Sequence, residues 1–236
     1  MMPRSLIIAL ALSAVCLMAQ STASKTRWEL LIQKPVPEGT IPNIHIVSLP
    51  LPPASPIPPP AGKGHTHAGP VFGYVARGEV ETLVDPDPAA RFHSGEVFYE
   101  TPGHLHRYLR NLSTVEPANI IAYQTGYEGG AAPAIKVLHH EELVTVTNQE
   151  VRLLRLTLAA GGTAEVPSHA NPDAICVLAG GVEVESASPQ QTYGPMEFFA
   201  RPATVQPFVL RNPSANEPAR ILVYQVVDRN MPIPAN

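Results

Sequence analysis

Apolar residues in this chain recur at every second position over short stretches, each closed by glycine, proline or charged residues. Glu79-Val80-Glu81-Thr82-Leu83-Val84 alternates with period two, which predicts a strand with one face buried. Val71 to Ala76 reads as the strand before it, with Arg77-Gly78 as the turn between them. Asp85-Pro86-Asp87-Pro88 predicts a loop, Ser94-Gly95-Glu96 a turn, Val97 to Glu100 a strand and Thr101-Pro102-Gly103 another turn. His106 to Leu112 and Asn119 to Gln124 are the next two strands. Turn signals at intervals of about 8–12 residues indicate a sandwich or barrel. Upstream, Ile44 to Leu49 has strand character, while Leu49 to Pro60 is rich in proline and predicts an edge or a polyproline stretch. Tyr127 to Pro133 reads as a small-residue link, and Lys136 to Leu143 as one helical turn.

The second half repeats the first at an offset of about 100–104 residues. Arg152 to Leu158 predicts a strand, and Pro167-Ser168-His169-Ala170-Asn171 falls where Gly64-His65-Thr66-His67 fell. Ile175 to Val184 parallels Phe72 to Val80, Pro202 to Gln206 parallels Pro102 to His106, and Arg220 to Val227 closes the unit. The reading is an internal duplication: an all-β chain with two sandwich or barrel units in tandem. The boundaries read from the sequence are 1–24 for a leader, 25–60 for a proline-rich arm, 61–135 for the first barrel and 136–230 for the second.

Composition narrows the class. The 27 prolines among 236 residues disfavour long helices, and the chain is long enough for a sizeable core. Only 15 % of residues are charged, the net charge is −4, and no basic run is present, which argues against nucleic acid as a partner. Arg4, the apolar run Leu6 to Met18 and the small residues Ala19 to Ser24 predict a cleaved secretion signal, hence a secreted or periplasmic protein with no membrane segment after cleavage. The run is shorter than the roughly 20 residues of a spanning helix. Lipid attachment at Cys16 is the other processing considered. The remaining cysteine, Cys176, lies in an apolar run and reads as a small buried hydrophobe; an exported chain with one thiol has no internal disulfide.

Candidate chemistry centres on histidine. His65 and His67, at i and i+2 in an extended segment, project to one side, and His106 follows about forty residues on in a second histidine-bearing stretch. Imidazoles suit Fe, Mn, Ni, Cu or Zn, so the expectation is one divalent ion held by His65, His67 and His106. His104 is a candidate fourth ligand or general base, or a cap on its turn; Tyr108, two residues after His106, is expected to point inward as pocket wall or catalytic acid. His93, His139 and His140 are expected in solvent, and Glu96 and Glu100 flank the second motif. Asn111-Leu112-Ser113 is also a glycosylation sequon.

These residues resemble the cupin superfamily in its two-domain form. The first motif, a glycine, His-x-His and a later glycine, falls on Gly62, His65, His67 and Gly78. The second falls on Gly95, Pro102, Gly103, His106 and Asn111. The resemblance implies jelly-roll barrels with a metal between the two motifs, and it assigns Asn111 to a turn or strand end. It covers about residues 40–125 well and 150–228 weakly. The family's usual glutamate falls near Val71, and Pro70 to Ala76 carries no carboxylate, so the expected site has three histidines only; Glu100 is the carboxylate considered as a substitute from another strand. In the second barrel Asn171 and Gln206 stand at ligand positions, leaving His169 alone and the barrel metal-free.

The implied function is oxygenase-type chemistry on a small oxygen-rich molecule, phenolics among the candidates, with secreted quercetin 2,3-dioxygenases as the nearest named activity. The alternative is a barrel that holds a metal or small ligand without turnover, and a third reading is metal-free packing of the histidines. Pairing of outer strands into a homodimer is the oligomeric expectation.

Overall fold

The computed structural model describes residues 25–54, 56–57, 64–129, 135–145, 147–185, 190–203 and 208–235. The leader at 1–24, Gly62 and Gln206 lie outside the described residues. The first ten strands are β1 (Arg27–Pro35), β2 (Asn43–Leu51), β3 (Pro56–Ile57), β4 (Val71–Arg77), β5 (Glu79–Val84), β6 (Ala90–His93), β7 (Val97–Glu100), β8 (His106–Asn111), β9 (Ala118–Thr125) and β10 (Lys136–Glu142). The other eight are β11 (Gln149–Leu158), β12 (Thr163–Val166), β13 (Asp173–Ala179), β14 (Val182–Val184), β15 (Gln191–Tyr193), β16 (Phe198–Arg201), β17 (Phe208–Arg211) and β18 (Ala219–Asp228). The described chain is all-β, in tandem antiparallel jelly-roll barrels.

Each barrel joins a five-stranded and a four-stranded sheet. The first has β10-β2-β9-β4-β7 facing β3-β8-β5-β6, and the second has β1-β11-β18-β13-β16 facing β12-β17-β14-β15. Residue parity along the long strands decides which core each side chain enters. In β9, Ile120 joins Leu51, Val75, Val80, Phe98 and Leu109 inside the first barrel. Its neighbours Ile121 and Tyr123 turn outward to meet Leu153, Cys176, Leu222 and Tyr224 from the second. In β18, Ile221 and Val223 fill the second barrel while Leu222, Tyr224 and Val226 take the opposite face. Both five-stranded sheets are therefore buried on both sides, which is why runs such as Ile221 to Val227 are nearly continuous in apolar residues instead of alternating. Tyr123 stacks on Tyr224 at 5.2 Å, and the Tyr224 hydroxyl meets Thr125 Oγ1 at 2.7 Å across this interface.

Three local expectations change. Lys136 to Glu142 is a strand, not a helical turn, because it pairs antiparallel with β2, His140 opposite His45. This strand therefore belongs to the first barrel's sheet, although it follows the 135/136 boundary. In exchange β1, from the arm, pairs with β11 in the second barrel. Pro50 lies in β2, which has neighbours on both sides: β9, where Pro50 faces Asn119, and β10, which among the described residues reaches as far as Ser48.

The Asn111 and Asn212 turns show the duplication at atomic detail. Asn111 is 2 % exposed, and its Nδ2 reaches the Leu51, Pro52 and Glu116 carbonyls at 3.2, 3.3 and 2.7 Å. Asn212 reaches Leu158, Ala159 and Glu217 at 3.4, 2.9 and 2.7 Å. The sequon nitrogen is thus committed to the fold, and the turn role is the one observed.

Candidate metal centre

The two motifs meet through backbone. His65 N–H donates to the His106 carbonyl at 3.1 Å and His106 N–H to the His65 carbonyl at 2.8 Å, an isolated antiparallel bridge. The approach requires glycine at 64: its φ is +65°, and a Cβ there would lie 2.4 Å from the His106 oxygen. Gly103 N–H donates to the His67 carbonyl at 2.9 Å, lacing the second turn to the first motif.

The side chains converge accordingly. His65 Nε2 lies 3.0 Å from His67 Nε2, and His67 Nε2 2.9 Å from Glu100 Oε2. Glu100 Oε1 lies 3.1 Å from His106 Nδ1. One donor atom from each of these four residues falls within 4.8 Å of the others. His65 is exposed, His67 partly buried, and Glu100 and His106 are buried at 5 % and 3 % exposure. The cluster thus has a closed floor and a solvent-facing side.

Glu100 corrects the three-histidine expectation. It lies at the end of β7, directly opposite Val71 on β4. Val71, like Gly73 and Val75, is on the strand face that looks into the barrel, as are Phe98 and Glu100 on β7. The carboxylate missing from one strand is supplied by its partner at the same level. In sequence the signal is weak, a glutamate just before Pro102-Gly103; its meaning depends on the β4–β7 register.

The donor set fits a divalent cation. Glu100 Oε2 and His106 Nδ1 are buried without an aligned hydrogen bond, although imidazole and carboxylate stand only about 3 Å apart. Spacings of 2.9–3.0 Å between neighbouring donors match the roughly 3.0 Å edge expected for six-coordinate ions with bonds of about 2.1 Å. Burial pushes the Glu100 carboxyl up, but the adjacent His106 and His67 imidazoles more than reverse this and leave it at about 2. His106 is lowered by burial and raised further by Glu100, ending above its ordinary value. Burial, then His67 and His106, lower His65.

On its far side the His106 ring is fixed. Nε2 lies 2.9 Å from the Tyr108 carbonyl and 3.0 Å from Thr82 Oγ1, and the Thr82 hydroxyl donates to that carbonyl at 3.2 Å. A carbonyl accepts only, so this network assigns the proton to Nε2 and the lone pair to Nδ1, the atom beside Glu100. Sequence reasoning missed Thr82, whose role depends on β5–β8 pairing.

The two candidate catalytic residues are placed differently. His104 is exposed on the Thr101–His104 turn, its N–H donating to Thr101 at 3.1 Å, outside the four-residue cluster. Tyr108 does not point inward: β8 carries an extra residue where Leu83 faces Tyr108 but Val84 faces His106. That bulge puts His106 and Tyr108 on opposite faces despite their i, i+2 spacing. The Tyr108 hydroxyl donates to Glu81 Oε1 at 2.9 Å, and Arg91 and Arg110 pair with the same carboxylate. His93 is exposed, as is His140, whose Nδ1 lies 3.3 Å from His45 Nδ1, but His139 is largely buried on β10.

The Cupin domain family matches residues 57–123, the stretch that carries all four residues. This part of the chain is similar to a cupin domain. No curated protein sequence matches the chain. Solved structures share the fold over both barrels. A putative glyoxylate-induced protein from Pseudomonas aeruginosa is 14 % identical, with 91 % of this chain and 85 % of that one covered at a TM-score of 0.59. A Bacillus subtilis oxalate decarboxylase with Mn(II) centres is 12 % identical over 89 % and 79 %, TM-score 0.57. A variant of salicylate 1,2-dioxygenase from Pseudoaminobacter salicylatoxidans is 14 % identical over 78 % and 70 %, TM-score 0.56. At these identities the likeness is one of fold.

Proposed function

We propose that this chain is an exported metal-dependent cupin of the oxygenase type, acting on a small oxygen-rich molecule such as a phenolic. His65, His67, His106 and Glu100 hold one divalent ion. The observation that carries the reading is the buried, unaligned Glu100 Oε2 and His106 Nδ1 beneath a solvent-facing His65. When bound, such an ion supplies Lewis-acid activation of chelating oxygens and, if redox-active, dioxygen chemistry.

The chain's own residues set the charge. Three neutral imidazoles and one carboxylate leave a dipositive ion with a single net positive charge, less than a three-histidine site would keep. One anionic donor balances it, which favours enolates, catecholates or carboxylates. Glu100, held at about 2, stays ionised and serves as ligand rather than base. The substrate therefore arrives ionised or gives its proton to another group, and His104 on the exposed turn is the candidate. Tyr108, committed to Glu81 on the outer face, is not.

Metal analysis of protein purified without added metal, followed by oxygen uptake with flavonols, catechols and β-diketones, tests this reading. One equivalent of metal and uptake with a chelating substrate are expected, and His106→Ala should lose the metal while keeping the fold. Unchanged metal content in His106→Ala refutes the site. Metal without turnover would leave the second reading, a non-catalytic binder, which the second barrel favours by keeping its fold without a comparable cluster among the described residues. Export is tested by the N-terminus of the mature protein, and homodimerisation by light scattering.

A further inference from the structure

The cup of the second barrel can be superposed on the first by strand register alone. Val71 faces Glu100 in one, and Asp173 faces Arg201 in the other; Phe72 faces Tyr123, and Ala174 faces Tyr224. His169 precedes Asp173 by four residues, as His67 precedes Val71. Where the first cup has Val71 and Glu100, the second therefore has a carboxylate and a guanidinium, with the charges redistributed between the two strands.

Arg201 and Asp173 are buried, at 0 % and 1 % exposure. Arg201 Nε donates to Asp173 Oδ2 at 2.5 Å, Nη2 to the Asn171 carbonyl at 2.7 Å, and Nη1 to the Pro202 carbonyl at 2.9 Å. Nη2 also lies 2.9 Å from His169 Nε2. Gln225 Nε2 reaches Asp173 Oδ2 at 3.3 Å and His169 Nε2 at 3.4 Å. His169 Nε2 and Asp173 Oδ1 are only 2.6 Å apart, yet the oxygen has no aligned hydrogen bond. Arg201 can only donate, so in its contact His169 Nε2 accepts, as the carboxylate oxygen does, and the ring proton then sits on Nδ1, which is also buried without a hydrogen bond. Two buried acceptors this close are arranged as donors to a cation.

We propose that the second barrel retains a cation site and fills it with its own Arg201 guanidinium. Asp173 and His169 are the donors, and Gln225 closes the cup. The two barrels then differ in net charge. With its ion, the first cup keeps one positive charge and attracts an anion; the second, one carboxylate against one guanidinium, keeps none and attracts none. A second barrel filled in this way is expected to take no metal, for a reason beyond the loss of ligand histidines: its cation is covalently attached. The proposal stands independently of the first site, because it is read as a difference.

The test is Arg201→Ala in the full chain, with Co(II) and, separately, methylguanidinium as probes. Relative to wild type, the variant is expected to bind one more equivalent of Co(II) per chain and to melt at a higher temperature with either probe. Asp173→Asn/Arg201→Ala is expected to lose both responses. No extra equivalent and no thermal response to either probe would overturn the proposal, as would an undiminished response in the double variant. If Arg201→Ala is not recovered folded, Arg201→Gln, which keeps a hydrogen-bonding side chain and removes the charge, carries the same comparison under the same criteria. Whether wild type itself binds zero or one equivalent reports on the first barrel only.

Discussion

Thr82→Val isolates the orientation of the proposed metal-ligand histidine from the ligand itself. Thr82 is 5 % exposed on β5, with Oγ1 3.0 Å from His106 Nε2. Valine keeps the branched shape and removes the hydroxyl, while the Tyr108 carbonyl, 2.9 Å from the same nitrogen, stays. Loss of a partner that orients a ligand lowers metal affinity by about 10–100-fold. Since one of two acceptors survives, the lower end applies: about tenfold, or about 1.4 kcal/mol. The lost hydrogen bond should also reduce folding stability by about 1 kcal/mol. Competitive titration against a chromophoric chelator measures the affinity, with Thr82→Ser as the control that retains the hydroxyl. If Thr82→Val binds as tightly as wild type, or if serine and valine lose affinity equally, the assigned role of the hydroxyl is wrong.

Other outcomes follow from the same coordinates. His106 is raised above its ordinary value by Glu100, so a binding ion must displace its proton at low pH; affinity should be flat above that raised value and fall as pH drops through it. Calorimetry in buffers of different ionisation enthalpy should show proton release growing as the pH is lowered through that raised value, and constant release would contradict the assignment. Gly73 lies beneath the Phe98 ring, and a Cβ there would come within 2.0 Å of Phe98 Cζ. Gly73→Ala should therefore lower the urea midpoint by about 1–3 kcal/mol equivalent, and an unshifted midpoint would mean the ring moves freely. Burial raises the Cys176 thiol to about 12, so maleimide should label it only after unfolding; rapid labelling of native protein would show that the inter-barrel face opens.

The sequence by itself determined a good deal. Period-two alternation and turn residues placed most strands between Val71 and Gln124, and the repeat from Arg152 to Val227 established the second barrel. His65 and His67 could be paired because extended backbone sends i and i+2 to one side. The same rule failed at Tyr108, where one extra residue in β8 reverses the face, since a bulge leaves no reliable mark on composition.

Only the tertiary structure decided which residues share a level across neighbouring strands. Val71 and Glu100 are 29 positions apart in sequence and opposite in register, and Asp173 and Arg201 are 28 apart and likewise opposite. Strand exchange was equally hidden: β1 and β10 each complete the sheet of the other half of the chain. Side-chain parity is a property of one strand and can be read along it. Register and partner choice belong to pairs of strands, and are fixed by how two buried faces fit together.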